Sequence, residues 1–341
     1  MAAPCVIGVD LGGTKVLAGA LDDTLGVHHR SRRVVAGSAD GPAVLATVLA
    51  AIADVRESVD GDVAAVGIGI PSLIDRRRGV AVTTVHLPIR DVPAQDVLSE
   101  RLGLPVAVDN DGNCAALAEA RFGAGKGAER MLMITVGTGI GGAIAYRGDV
   151  DRGALGAAGE FGHMVVDRDG PPCHGSCPNR GCLETVASGT ALARAAVVLA
   201  AERPESALAR VAAEGRPLDG ILVTELARAG DAAARDGRRL DGVLVTELAR
   251  DGDEVAREAV ARIGTSLGVG LANLVNIFNP DVVVVGGGVI ANGELLLAPA
   301  RREMLARALS PSREHVRVVA ARFGAEAGMR GAGLLAWDRL A

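Results

Sequence analysis

Cys5-Val-Ile-Gly-Val-Asp10-Leu-Gly-Gly-Thr-Lys15 is an apolar run that passes directly into a glycine loop. The β-branched run predicts a buried strand, and the loop predicts a contact with phosphate, because glycines leave backbone N–H groups accessible. A hydroxyl and a carboxylate complete the pattern, and the carboxylate can hold Mg²⁺ through water. A bare hairpin turn is the alternative interpretation. The candidate ligands in this loop are Asp10, Gly12, Gly13, Thr14 and Lys15.

Two further glycine loops follow apolar runs later in the chain. Gly137-Thr-Gly-Ile-Gly-Gly142 joins two such runs, and Gly286-Gly-Gly288 follows the run 282–285. Phosphate loops in different halves of the chain predict one phosphate chain held between two domains, with a nucleotide base or ribose against the third loop. A hairpin turn and a close helix–strand contact are the respective alternatives. The candidate ligands are Gly137, Thr138, Gly139, Gly141, Gly286, Gly287 and Gly288.

Strand and helix patterns alternate along the chain. The strands are predicted at 5–10, 63–70, 106–108, 130–136, 142–146 and 281–285. The helices are predicted at 41–55, 94–102, 113–122, 188–201, 253–278 and 293–308. Strands that are apolar throughout are covered on both faces, so the alternation predicts an α/β fold. A chain of 341 residues exceeds what one core usually organises, and two domains are expected.

The overall charge gives no reason to expect a nucleic-acid or membrane partner. The net charge is −5, and no apolar run approaches the roughly 20 residues that span a bilayer. The first residues lack the basic start of a secretory signal, and the chain has an odd number of cysteines, five. Both features predict a cytoplasmic protein with reduced thiols.

A cysteine-rich segment predicts a metal site. His163, Cys173, Cys177 and Cys182 form a three-cysteine, one-histidine set, which Zn²⁺ commonly binds as a closed tetrahedron. The alternative is a group of scattered thiols or disulfides, which the odd number of cysteines argues against.

Three polar residues after a short strand supply a candidate catalytic base. In Val108-Asp-Asn-Asp-Gly-Asn113, Asp111 lies near the start of a predicted helix, where capping alone could explain it. Three polar residues in a row exceed what one cap requires, and a general base must be held by its neighbours. A nucleotide clamp, Mg²⁺ and one such carboxylate predict phosphoryl transfer to a hydroxyl.

Together these motifs resemble those of the ROK family of sugar kinases and related repressors. The matching segments, in chain order, are Asp10-x-Gly-Gly-Thr-Lys15, Asn110-Asp111, Gly137-Thr-Gly-x-Gly-Gly142, Glu160-x-Gly-His163 and Cys177-x₄-Cys182-Leu-Glu184. The resemblance implies a two-domain, actin/hexokinase-like (ribonuclease H-like) α/β fold, with the sugar in a cleft between the domains. It implies Asp111 as the base and His163 with the cysteines as the zinc set. The sugar ligands that it implies are Asn110, Asp111, Glu160, His163 and Glu184.

Three departures from the family pattern bear on these roles. The spacing Cys173-x₃-Cys177 replaces the usual Cys-x-Cys and makes His174 a rival ligand. The sugar loop reads Gly69-Ile-Pro71-Ser72, where Gly usually stands in place of Ser72. His86 stands in the next loop, where members that phosphorylate glucose commonly carry Asn. Gly69, Pro71, Ser72 and His86 are therefore further candidate sugar contacts, and the identity of the sugar stays open.

The predicted function is ATP-dependent phosphorylation of the 6-hydroxyl of glucose. Alternatives are N-acetylmannosamine, N-acetylglucosamine or fructose as the acceptor, and inorganic polyphosphate as the donor. A sugar-sensing regulator is disfavoured, because no helix-turn-helix pattern precedes the first strand. By family analogy, a dimer or tetramer is expected.

The predicted domains are 1–112 with 325–341, and 113–324. The second domain would contain the zinc loop 163–184 and a duplicated helical insertion at 215–258. Gly215-Arg-Pro-Leu-Asp-Gly-Ile-Leu-Val-Thr-Glu-Leu-Ala-Arg228 recurs as Gly237-Arg-Arg-Leu-Asp-Gly-Val-Leu-Val-Thr-Glu-Leu-Ala-Arg250. Two copies are too few for a solenoid, so the pattern predicts an extra surface helix hairpin without a catalytic role.

Overall fold

The computed structural model describes residues 4–13, 15–35, 40–84, 87–175, 177–213 and 242–341. The strands are β1 Cys5–Leu11, β2 Lys15–Leu21, β3 Val27–Val34, β4 Val63–Ile70, β5 Leu73–Asp75, β6 Val80–Thr83, β7 Arg90–Val92, β8 Val106–Asn110, β9 Arg130–Val136, β10 Ile140–Tyr146, β11 Asp149–Asp151, β12 Val282–Gly286 and β13 Arg317–Ala320. The helices are α1 Gly41–Glu57, α2 Ala94–Leu102, α3 Asp111–Arg121, α4 Leu183–Ala187, α5 Gly189–Glu202, α6 Ala207–Ala213, α7 Gly242–Arg250, α8 Glu254–Phe278, α9 Glu294–Arg307, α10 Ser312–His315 and α11 Ala327–Leu340.

The chain divides into two compact units. Unit 1 comprises Met1–Ala128, Ala143–Gly159 and Arg322–Ala341, and unit 2 comprises Glu129–Gly142 and Glu160–Ala321. Unit 1 contains α3, which the sequence-based boundary at 112 assigned to the second domain. The assignment to unit 1 follows from packing, because a Cβ on Gly331 of α11 would lie 1.6 Å from the carbonyl oxygen of Cys114 in α3.

The larger sheet of unit 1 has the strand order β3-β2-β1-β4-β8, and a smaller one has the order β5-β6-β7. β1, β2 and β3 are antiparallel, whereas β4 and β8 run parallel to β1. On one face α11 packs directly on bare backbone, since a Cβ on Gly67 would lie 1.7 Å from the carbonyl oxygen of Ala332. A hydrophobic core of the unit contains Ile7 and Val9 of β1 together with Val44 and Val48 of α1. The predicted α/β architecture is thus confirmed.

Unit 2 is built on parallel strands and a long central helix. β12 lies between β9 and β13 and pairs parallel with both. α8 packs tightly on α9, because Gly264 and Gly268 lie against backbone carbonyls of that helix. Among the described residues α8 alone is long and apolar enough to cross a membrane, but 56% of its apolar window is buried within the protein. We therefore interpret α8 as a core helix.

The second copy of the tandem repeat includes α7, which packs into unit 2. A Cβ on Gly242 would lie 2.9 Å from the carbonyl oxygen of Gly189, and Val245, Thr246 and Ala249 are buried. Thr246 also accepts a hydrogen bond from the buried Asn292 amide. The second-copy helix therefore has a buried face. The first copy, 215–228, and the start of the second copy lie outside the described residues.

Candidate active site

The first glycine loop closes a β-hairpin. β1 and β2 pair up to Leu11 and Val16, and the N–H of Gly12 donates to the carbonyl of Lys15 at 2.8 Å. The hairpin interpretation of this loop is confirmed. A hairpin turn can also bind phosphate, so the predicted phosphate contact stays a prediction. Thr14 lies outside the described residues.

Asp10, at the end of β1, is a buried carboxylate with a second carboxylate beside it. Burial and the neighbouring Asp111 carboxylate raise the pKa of Asp10 to about 7, against a smaller opposing effect of Lys15. The start of α11 presses on this side chain, since a Cβ on Gly328 would lie 2.7 Å from its Cγ. Two neighbouring carboxylates supply hard oxygen ligands of the kind that a divalent cation takes.

The helix cap at the end of β8 belongs to Asn110. Its side-chain oxygen accepts from the N–H of Asn113 at 3.1 Å, and its amide donates to the carbonyl of Ser72 at 3.3 Å. Asp111 is the first residue of α3, and its Oδ1 accepts from the N–H of Gly112 at 2.9 Å. Because Asn110 performs the cap role, capping does not account for Asp111.

Asp109 anchors this segment through a buried ion pair that the sequence did not reveal. Only 1% of its side chain is exposed, and its Oδ2 lies 2.6 Å from both Nε and Nη2 of Arg152. Its Oδ1 accepts from the N–H of Asn110 at 2.8 Å and from the amide of Asn113 at 3.2 Å. Each oxygen is thus hydrogen-bonded, and the carboxylate fixes the backbone immediately before the candidate base.

The predicted sugar loop comes close to the same residues. A Cβ on Gly69 would lie 3.3 Å from the Cα of Asp111, so the two backbone segments approach closely. Ser72 is buried, and its hydroxyl lies within donating distance of the carbonyls of Thr83, at 2.8 Å, and of Leu73, at 3.0 Å. Its hydroxyl therefore serves the local fold. Pro71 lies between these residues in the chain, and His86 lies outside the described residues.

The second glycine loop, 137–142, leaves β9 after Val136, and its last three residues already belong to β10. Its start is held by α5, since the N–H of Gly189 donates to the carbonyl of Gly137 at 2.7 Å. The hydroxyl of Thr190 donates to the carbonyl of Thr138 at 2.8 Å. At the other end the N–H of Ile140 donates to Oε2 of Glu184 at 2.8 Å. A predicted sugar ligand, Glu184, is thus hydrogen-bonded to a predicted phosphate loop.

The third glycine loop combines packing with open backbone. Gly287 has φ +87°, and a Cβ on it would lie 2.4 Å from the carbonyl oxygen of Val136. A Cβ on Gly286 would lie 3.1 Å from the Cε of Met133. At Gly288, which begins a 3₁₀ turn, a Cβ would meet nothing within 4 Å. Close packing explains the first two glycines, and only Gly288 offers open backbone to a ligand.

The predicted metal ligands converge in unit 2. The candidate ligand atoms of His163, Cys173, Cys177 and Cys182 all lie within 4.8 Å of one another. Sulfur–sulfur and sulfur–nitrogen edges of a zinc tetrahedron are about 3.8 and 3.6 Å, given the usual bond lengths. The protein places Sγ of Cys177 and Cys182 3.9 Å apart, and Sγ of Cys173 3.5 Å from Nδ1 of His163. The residues present therefore fit Zn²⁺.

Without a cation the thiols of this cluster resist ionisation. Burial, followed by the neighbouring thiols, raises the pKa of Cys173, and burial raises that of Cys182. Three packed sulfurs can become thiolates together only when a cation compensates their charge. The rival ligand His174 is not in this cluster, and its Nε2 lies 3.5 Å from Nη2 of Arg194.

Glu160 and His163 lie on one short turn of unit 2. Phe161–His163 forms a 3₁₀ turn in which the N–H of His163 donates to the carbonyl of Glu160 at 3.1 Å. This turn presses on the second glycine loop, because a Cβ on Gly162 would lie 2.1 Å from the carbonyl oxygen of Ile140. Since Nδ1 of His163 faces the sulfurs, its Nε2 is the nitrogen left for another ligand.

Comparisons with known proteins agree with this geometry. The family model described as the ROK family matches residues 6–339. A glucokinase of Halalkalibacterium halodurans is 37% identical over 334 residues, covering 96% of this chain and 94% of that protein. A xylose repressor of Caldicellulosiruptor bescii is 30% identical over 236 residues, covering 69% of this chain and 53% of the repressor. The crystal structure of a ROK family glucokinase from Streptomyces griseus, in complex with glucose and AMPPNP, has a TM-score of 0.82 at 37% identity, covering 98% of this chain and 99% of that one.

Proposed function

The chain belongs to the ROK family, and on that premise we propose that it is an ATP-dependent kinase that phosphorylates the 6-hydroxyl of glucose. The predicted two-domain, actin-like sugar kinase fold and the predicted enzyme class are confirmed by its similarity to glucokinases along nearly the whole chain. The observation that carries the mechanism is the start of α3, where Asp109 is anchored, Asn110 caps the helix and Asp111 stands as its first residue.

In the proposed reaction Asp111 accepts the proton of the acceptor hydroxyl. Asp109 and Arg152 hold the backbone before it, so the carboxylate is positioned before the sugar binds. Asp10 would hold Mg²⁺ through water, and the ion would supply charge neutralisation of the transferred phosphoryl group. The loops 10–15 and 137–142 would bind the phosphates through backbone N–H groups, with Gly288 nearest the base or ribose.

The proposed sugar ligands are Asn110, Glu160, His163 and Glu184, by family membership. A buried hydroxyl needs a hydrogen-bond partner, and two carboxylates, an amide and an imidazole supply several. Zn²⁺ on Nδ1 of His163 would fix the tautomer that carries hydrogen on Nε2, which can then donate to a sugar hydroxyl. The metal would thus be structural and would orient one sugar ligand.

Several finer features belong to the same proposal. A cytoplasmic location and a homo-oligomeric state are proposed by family analogy. The alternative acceptors are N-acetylhexosamines and fructose, since Ser72 and His86 depart from the common family pattern. Polyphosphate is the alternative donor. A coupled ADP-release assay with a hexose panel, and a product assay with polyphosphate in place of ATP, would rank them. A gel-shift assay tests the regulator alternative, for which we expect no DNA binding.

Asp111→Asn tests the proposed base. Asn keeps the size of the side chain and cannot accept the proton, so kcat should fall by roughly 10²–10⁴. Glucose should still raise the melting temperature of the variant, because stabilisation by a ligand requires only binding. Turnover near that of the wild type, or loss of folding in place of turnover, would assign Asp111 to a structural role.

A further inference from the structure

One carboxylate oxygen of Glu184 is engaged by the backbone of the protein. Its Oε2 accepts the N–H of Ile140 at 2.8 Å, and Ile140 belongs to the second glycine loop. Hydrogen bonds to an ionised acceptor are about twice as strong as neutral ones. A residue that served the sugar alone would have no need of this contact, which points to a second role.

Glycine at position 139 is explained by the same contact. A Cβ on Gly139 would lie 2.1 Å from Oε2 of Glu184, whereas at Gly137 in the same loop it would meet nothing within 4 Å. Gly139 has no positive φ that would demand glycine by itself. The Glu184 carboxylate therefore accepts a hydrogen bond from this loop and occupies the space that a side chain at position 139 would take.

The backbone of Glu184 is itself held firmly. It lies in the first turn of α4, directly after the buried Leu183, whose N–H donates to the carbonyl of Met164 at 2.8 Å. Cys182, one of the proposed zinc ligands, stands at the N-cap of the same helix. Ile140 is also packed at its carbonyl oxygen, which lies against Gly162.

We propose that Glu184 is a positioning residue for the nucleotide: through Oε2 it holds loop 137–142 in the shape that binds phosphate. This inference rests on the proposed kinase function. The short segment from Cys182 to Glu184 would then connect the zinc cluster to the phosphate loop. A sugar-ligand role alone predicts that nucleotide binding without sugar is independent of Glu184, whereas the positioning role predicts dependence.

Calorimetric titration of the full-length protein with AMPPNP and Mg²⁺, in the absence of any sugar, separates the two roles. Glu184→Ala should raise the AMPPNP dissociation constant about tenfold, the factor expected for one lost hydrogen bond to a charged acceptor. Glu184→Gln retains a neutral acceptor and should raise it by about threefold or less. The control Glu160→Gln changes another carboxylate that is a proposed sugar ligand. It should weaken the binding of glucose and leave the binding of AMPPNP unchanged.

A double-mutant cycle tests the contact itself. Gly139→Ala should weaken AMPPNP binding by up to about tenfold in the wild-type background, because the new methyl group displaces the Glu184 carboxylate. In the Glu184→Ala background the same change should have little effect. Equal effects in both backgrounds, or AMPPNP affinity unchanged in Glu184→Ala, would overturn the inference while leaving the kinase proposal intact. Absence of AMPPNP binding by the wild-type protein would instead refute the kinase proposal. Melting curves check that each variant folds.

Discussion

Arg152→Met should be among the most damaging single substitutions outside the residues that contact substrate. It removes the charged partner of Asp109 and keeps an unbranched side chain. Arg152 is 18% exposed and Asp109 only 1%, so the buried carboxylate would lose its close partner and keep only Arg76, whose Nε lies 4.0 Å from its Oδ2. Breaking such a pair costs about 3–5 kcal/mol, a large part of the roughly 5–15 kcal/mol that stabilises a domain.

Arg121→Met supplies a matched control in the same unit. Arg121 also pairs with two carboxylates at 2.7 Å, but those of Asp149 and Asp338 are 79% and 46% exposed. Exposed pairs contribute about 0–1 kcal/mol, so this variant should unfold at nearly the wild-type urea concentration. The comparison separates the burial of the partner carboxylate from the loss of an arginine as such.

Urea unfolding and steady-state kinetics together give the readout. Arg152→Met should lower the free energy of unfolding by about 3 kcal/mol or more at an unchanged m value. Among folded molecules kcat should fall about 10²-fold, because Asp109 no longer fixes the backbone before Asp111. Combining Arg152→Met with Asp109→Asn should restore part of the stability, since no buried charge remains. A loss of stability no greater than that of Arg121→Met would refute this account of the anchor.

Three further predictions concern the metal cluster, the buried carboxylate and the duplication. Cys177→Ser should release zinc, lower the melting temperature and raise KM for glucose, whereas His174→Ala should retain zinc by metal analysis. Because the pKa of Asp10 is raised to about 7, its folded form binds more protons than the unfolded form between about pH 4 and 7, and it lowers stability as pH rises through that window. Asp10→Asn should therefore gain up to about 4 kcal/mol over wild type between pH 5 and 8 in urea unfolding of the ligand-free protein, and an identical pH dependence would contradict this. Deleting 215–236 retains α7 and should leave kcat and KM nearly unchanged, while lost nucleotide affinity in a folded deletion variant would contradict it.

The elements that carry the site could be predicted because strand and helix signals meet there. The run ending at Val108 is apolar and β-branched, and the following Asp-Asn-Asp-Gly is typical of a helix start. The structure extends this strand to Asn110 and begins α3 at Asp111. What the sequence could not reveal is which of the three polar residues performs the cap, since Asn and Asp are equally good at it.

The predicted strands omit β2, although Lys15–Leu21 is mostly apolar, and they also omit strands that lack a clear apolar pattern. β3 reads Val27-His-His-Arg-Ser-Arg-Arg-Val34, and its charges are those of an edge strand that must avoid pairing with other chains. The short strands β5, β6 and β7 were missed as well, because three or four residues carry little periodicity.

Long-range partners were also beyond the reach of the sequence. Arg152 meets Asp109 across 43 positions of the chain, and Glu184 meets Ile140 across 44. Neither arginine nor glutamate carries a local signal for such a pairing. Arg152 is one of 36 basic residues. Its position after a strand and before Glu160 is the only feature of the sequence that distinguishes it.

Three carboxylates of unit 1 show how their surroundings assign different tasks to one functional group. Asp109 is saturated by an arginine, an amide and a backbone N–H, so its charge is fully used in holding structure. Asp10 faces a like charge and retains a proton near neutral pH, a cost that a divalent cation would remove. Asp111 is the one whose helix cap has been transferred to a neighbour. Asp109 anchors the segment and Asn110 caps the helix, so neither task needs Asp111, and this division of labour supports our proposal that Asp111 accepts the proton.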